Sequence, residues 1–148
     1  MKSSSQRIEP VKKVAEQREK KAADTLSRAQ NVYGEAQSKL HELVQYRSDY
    51  MSEFQFRAQR GMSGSQLQHY KSFLLQLDKA IETQKQQIEL LQGEVNKQRS
   101  QWQSRSQRTQ AVSKYQQRVQ KKEQLNKDKA ENRQIEDDIN NLRHSKQS

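Results

Sequence analysis

The sequence predicts an all-α protein built as a long antiparallel two-helix coiled-coil hairpin, with the second helix longer than the first. Three observations carry this. One cluster of helix-breaking residues interrupts the chain, a heptad repeat occupies most of the segment on its C-terminal side, and a fainter repeat lies on its N-terminal side. Only 30% of the 148 residues are hydrophobic while 31% are charged. That is too little apolar material for a globular core and suits a narrow seam.

The breaking cluster is Gly61-Met62-Ser63-Gly64-Ser65, which holds two of the four glycines. Gly61 can take the left-handed conformation that closes a helix, and Ser63 or Ser65 can accept a hydrogen bond from the first free amides of the next. Pro10, the sole proline, sits where a first helical turn tolerates it. Helix one is therefore expected from about residue 8 or 10 to 60, a turn over 61–65, and helix two from about 65 to 143, all in a single domain of residues 1–148.

In helix two, alternating steps of three and four from Leu67 give Tyr70, Leu74, Leu77, Ile81, Gln84, Ile88, Leu91, Val95, Gln98, Trp102, Arg105, Thr109, Val112, Gln116 and Val119. Eleven of these sixteen positions are apolar. A repeat sustained that long marks a coiled-coil seam. Helix one offers Val11, Ala15, Arg18, Ala22, Thr25, Ala29, Val32 and Ala36, then Leu40, Leu43, Tyr46, Tyr50 and Phe54. The two consecutive steps of four from Val32 to Leu40 predict a stutter, which relaxes a supercoil locally.

Folding about residues 62 and 63 makes residues whose numbers sum to roughly 125 face each other. Phe54 then meets Tyr70, while Ala36 meets Ile88 and Ala22 meets Trp102, the latter two small against large as knobs and holes require. Helix one is used up first, so helix two is expected to be unpaired past about residue 118.

No catalytic, cofactor-binding or metal-binding constellation is present. There is no cysteine, no GxxxxGK loop, and the register keeps His41 and His69 apart. Adjacent carboxylates such as Asp137 and Asp138 point in different directions on a helix. An enzyme is not expected, nor any cofactor. The net charge of +10 is spread among interspersed acids, the pattern of solvated helix faces, so nucleic acid is not an expected partner. No stretch approaches the roughly 20 apolar residues of a membrane span, and Met1 to Val14 lacks an apolar signal stretch, which points to the cytoplasm.

Apolar residues outside the seam cluster near the turn. Phe73, Leu77, Ala80 and Gln84 share one face of helix two, and Lys39, Leu43, Tyr46 and Tyr50 repeat the spacing on helix one. Grouped exposed aromatics suit a binding surface, while a core that widens around the turn would use the same residues.

The segment Leu43 to Tyr50 with its YxxxY motif, the turn at Gly61 to Ser65, and the YxxFLxxLxxAI motif from Tyr70 to Ile81 resemble the FliJ family, coiled-coil components of the bacterial flagellar type III export apparatus. The resemblance implies a fold like the γ-subunit coiled coil of rotary ATPases. It also implies a rod that links the export ATPase hexamer to the export gate and escorts export chaperones. The partners implied are that hexamer, the cytoplasmic domain of the gate protein FlhA, and the chaperones. Membrane association would then arise only through partners, at the cytoplasmic face of the inner membrane at the flagellar base. By the same resemblance Leu43, Tyr46, Tyr50, Phe73, Leu77 and Ala80 contact the gate. Lys39 stands where the family usually has Gln, and Gln84 where it has His. The ATPase-facing end corresponds to roughly residues 8–30 and 100–125 and beyond, by resemblance to a central stalk. The alternative reading of the residues is a structural or oligomerising coiled coil, its tail associating through Ile135, Ile139 and Leu142, and, ranked below it, a basic nucleic-acid-binding coiled coil.

Overall fold

The computed structural model describes residues 3–147. It contains two helices, α1 (Ser4–Gln59) and α2 (Gly64–Gln147), and no strand among the described residues. The fold class is thus the expected all-α hairpin with the longer helix second. By packing the chain falls into two compact units. One comprises Lys21–Trp102 and carries the turn; the other comprises Met1–Lys20 with Gln103–Ser148.

Both helices open on the same local chemistry. At Ser63 the hydroxyl accepts from the Gln66 amide at 3.1 Å while the Gln66 side chain accepts from the Ser63 amide at 3.3 Å. Ser3 and Gln6 form the same reciprocal pair at 3.3 and 3.0 Å. Each capping box satisfies amides that a helix start leaves free. The box at Ser3 moves the start of α1 upstream of the residue 8 expected from periodicity. Its Ser-x-x-Gln signature is legible in the sequence at Ser3–Gln6, just as it is at Ser63–Gln66. The α1 end is closed by the amides of Arg60 and Gly61, which donate to the carbonyls of Arg57 and Ala58. Gly61 takes φ 96°, a region that a Cβ disfavours.

In the turn-bearing unit the predicted α2 seam is observed at every position from Leu67 to Trp102. Leu74, Leu77, Ile81 and Val95 are buried and the others half-buried; only Phe73 joins them from outside the repeat. The α1 seam differs from expectation. None of its residues in this unit is buried; beside half-buried Ala23, Thr25, Gly34 and Met51, its half-buried stripe runs through Ala22, Leu26, Ala29, Tyr33, Ala36, Leu40, Leu43, Arg47, Tyr50 and Phe54. These alternate threes and fours without interruption, so no stutter exists in this segment. Val32 and Tyr46, expected in the seam, face outward, and their successors Tyr33 and Arg47 take the slots. An arginine can fill such a slot because its stem is apolar and its head reaches water. The Arg47 guanidinium pairs with Asp78, and that partner raises its already high pKa further.

In the other unit the seam is more polar. Ser5, Ile8, Lys12, Ala15 and Glu19 on α1 face Arg105, Thr109, Val112, Gln116, Val119 and Glu123 on α2. Lys12 and Glu19 replace the expected Val11 and Arg18. Buried Gln116 donates to the Glu9 carboxylate at 2.6 Å and to the Ser5 carbonyl at 3.3 Å. The Thr109 hydroxyl lies 3.2 Å from the Ala15 carbonyl. Pairing reaches Glu123, beyond the expected limit near residue 118, because α1 begins earlier and brings Ser5 into register. From Gln124 to Lys146 every residue is exposed.

A candidate partner-binding surface

The turn-bearing unit presents an aromatic ladder. Tyr46, Tyr50 and Phe54 lie on α1 at helical spacing, and Tyr70 and Phe73 on α2 interleave with them. Ring centroids are 4.7 Å apart for Tyr50–Phe73, 5.0 Å for Tyr50–Tyr70 and 5.5 Å for Phe54–Tyr70. Tyr46 meets Phe73 edge to face at 6.2 Å. Tilted and edge-on arrangements are those aromatic quadrupoles favour. Burial pushes the Tyr50 phenol above its ordinary pKa, with Tyr70 and Glu53 adding to the effect, so this rung stays neutral.

The eight residues singled out in the sequence divide into two groups. Leu77 is buried, and Leu43, Tyr50 and Gln84 are half-buried in the seam. The Gln84 amide donates to the Ala36 carbonyl at 2.9 Å, so it is spent on holding the helices together. Lys39, Tyr46 and Ala80 are exposed, and Phe73 is half-buried beside the seam. Lys39 and Tyr46 are one heptad apart, as are Phe73 and Ala80. They form two lines flanking the seam, joined by the Tyr46–Phe73 contact, while the first group supports them from below. Sequence reading left Phe54 and Tyr70 out of this cluster and assigned both to the seam alone, because the i, i+4, i+7, i+11 spacing it followed does not include them.

Among the described residues no group of His, Asp or Glu could hold a metal ion. Among the same residues no helix is long and apolar enough to cross a membrane.

Two long helices joined by a capped turn, zipped by heptads and displaying an aromatic flank, define a coiled-coil hairpin whose chemistry is that of its surfaces. The family model described as Flagellar FliJ protein matches residues 4–148, and the chain belongs to that family. That family is a non-enzymatic component of flagellar export, and membership gives the chain a role related to flagellar protein export and an interaction with components of the export apparatus. No curated protein and no solved structure gives a significant match.

Proposed function

We propose that the chain links the export ATPase hexamer to the cytoplasmic domain of the gate protein FlhA, and that it escorts export chaperones, at the cytoplasmic face of the inner membrane. Its flank near the turn binds the gate. The observation that carries this reading is the Tyr46–Phe73 pair, the one place among the described residues where aromatic rings of both helices stand beside the seam, with Tyr46 52% exposed. Amphipathic aromatics on a rigid support lose little entropy on binding and are enriched among hot spots. Tyr46 and Phe73 supply the contact; Lys39 and Ala80 border it. Leu43, Tyr50, Leu77 and Gln84 hold the two lines in place.

The test is binding of the native protein and of the Tyr46→Ala, Phe73→Ala double variant to the gate's cytoplasmic domain, with helicity followed by circular dichroism. A variant that stays helical and loses on the order of a hundredfold in affinity supports the assignment. Equal binding of the two proteins overturns it. Leu90→Ala, on an exposed site away from the ladder, serves as the control that retains native affinity.

A further inference from the structure

In the unit near the two ends of the chain, the outward side of α2 carries a heptad of its own. Lys114, Arg118, Lys121, Leu125, Asp128, Asn132, Ile135, Ile139 and Leu142 follow one another in alternating steps of four and three. At about 100° per residue these positions fall within an arc of about 120°, and their drift along it is the one that a left-handed supercoil takes up. The α2 residues that face α1, Val112, Gln116, Val119 and Glu123, point to the opposite side of the helix. Thus α1 does not cover this second face, and every position on it is exposed. Leu125, Ile135 and Leu142 are more than half exposed.

Charge is segregated along the same helix. Between Glu94 and Glu123 stand eight basic residues and no acidic one, whereas Glu123 to Asp138 holds six acidic and three basic residues. Lys121 and Lys122 in the first block and Glu131 and Glu136 in the second form no ion pair among the described residues. Asp128 and Asp138 meet glutamine amides of their own helix. A hollow of ≈420 Å³ lies among Lys114, Gln117, Arg118 and Lys121. That i, i+3, i+4, i+7 set is the hole which receives a knob in a coiled coil. Lysine and arginine can line it with their apolar stems while their heads stay in water.

We propose that two copies of this chain pair antiparallel through this second face of α2, about a two-fold axis at the level of residue 130. The alignment sets Leu125 of one copy level with Ile135 of the other, Asp128 with Asn132, Lys121 with Ile139, and Arg118 with Leu142, which enters the hollow as its knob. Lys122 falls beside Glu136, and Lys121 comes to the level of Asp138. The basic block thus lies on the acidic block twice. Because every contact comes from one face of one helix, the two-fold rotation makes the two halves identical, as an isologous interface requires. A parallel pair would set Lys121 against Lys121 and Asp128 against Asp128, and an antiparallel pair centred near residue 137 would set Glu136 against Glu136. Like charges exclude both. The overlap from Lys114 to Lys146 is roughly 50 Å long and gives a partner to the stretch from Gln124 onward, which α1 leaves exposed. This inference gives the oligomerising reading a register, and it uses none of the gate-binding residues.

The test is sedimentation equilibrium of the full chain at physiological salt, where the long-range repulsion between two chains of net charge +10 is screened. Native protein is expected at twice its 17.5 kDa monomer mass. Lys121→Glu with Lys122→Glu makes the basic block acidic, and Glu136→Lys with Asp138→Lys makes the acidic block basic. Each form alone, its helicity verified, is expected to associate at least on the order of tenfold more weakly. Mixed together they have opposite charges in both contacts and associate with each other at near-native strength. The chain has no cysteine, so introduced thiols report orientation. Glu131→Cys, close to the axis, is expected to be joined to its own copy by a short bifunctional maleimide. Gln117→Cys, whose copies stand roughly 40 Å apart in this alignment, is not. A native protein that stays monomeric at high micromolar concentration overturns the proposal. So does a mixture that associates no more tightly than its components, or a Gln117→Cys form that cross-links as readily as Glu131→Cys.

Discussion

The hydroxyl of Ser5 donates to the Glu123 carboxylate at 2.7 Å, and the Ser5 amide donates to the same carboxylate at 3.1 Å. This bidentate contact ties the first turn of α1 to Glu123, the last half-buried residue of α2 among those described. It fixes where pairing of the two helices ends.

These bonds hold the Glu123 carboxyl below the ordinary carboxylate range, the Ser5 hydroxyl contributing most. The folded value therefore lies below the unfolded one. The contribution of Glu123 to stability is complete above the ordinary range and is lost as pH falls through the depressed folded value. Amide exchange at Ser5, corrected for intrinsic rates, is expected to accelerate as pH drops across that window. In Glu123→Gln the corrected rate is expected to be raised already at neutral pH and to lack that acid step.

The glycines give a signed pair of predictions. Gly61 has positive φ, so Gly61→Ala strains the turn and is expected to cost about 1 kcal/mol. Gly93 lies within α2, and a Cβ there would meet nothing within 4 Å. Gly93→Ala is expected to stabilise the chain by about 0.5–1 kcal/mol, since the helix interior favours alanine. Thermal unfolding followed by the loss of helical circular dichroism reads both signs; two changes of equal sign would contradict the assignment of the turn.

The leucines separate seam from surface. Leu74 and Leu77 are buried, whereas Leu75 and Leu90 are more than half exposed. Leu74→Ala or Leu77→Ala is expected to cost about 2–3 kcal/mol, the lower part of the core range because the seam is narrow. Leu75→Ala and Leu90→Ala are expected to change stability by no more than about 0.5 kcal/mol. Urea denaturation of the four variants checks the register; comparable losses at all four would place the seam elsewhere.

The α2 seam was legible because its large aliphatic residues recur at the slots that are buried, from Leu67 through Val95. The α1 seam was legible at Ala15, Ala22, Ala29, Ala36, Leu40, Leu43, Tyr50 and Phe54, but not at Leu26. Lys12 and Arg47 occupy slots whose preceding neighbours are the more apolar Val11 and Tyr46, so a reading by residue character shifts to the neighbour; choosing Val32 over the half-buried Tyr33 in the same way generates a stutter that the helix does not have. The candidate surface was legible as a list of residues. Its division into exposed Tyr46, Lys39 and Ala80 and supporting Leu77 and Gln84 was not, because the same helical spacing describes a core residue and its outward neighbour.

By itself the sequence determined the two helices, the turn at Gly61 and the heptad of α2, because these follow from local propensity and from a period that one helix displays alone. Its motifs also carried the resemblance to the flagellar export family. Only the tertiary structure decided which α1 residues enter the seam, that Gln84 and Gln116 spend their amides across it, that Tyr46 meets Phe73, and that Ser5 extends the pairing to Glu123. Each of these depends on the rotation of one helix against the other, which is set by the sum of packing and hydrogen bonding between them and is written in neither helix separately.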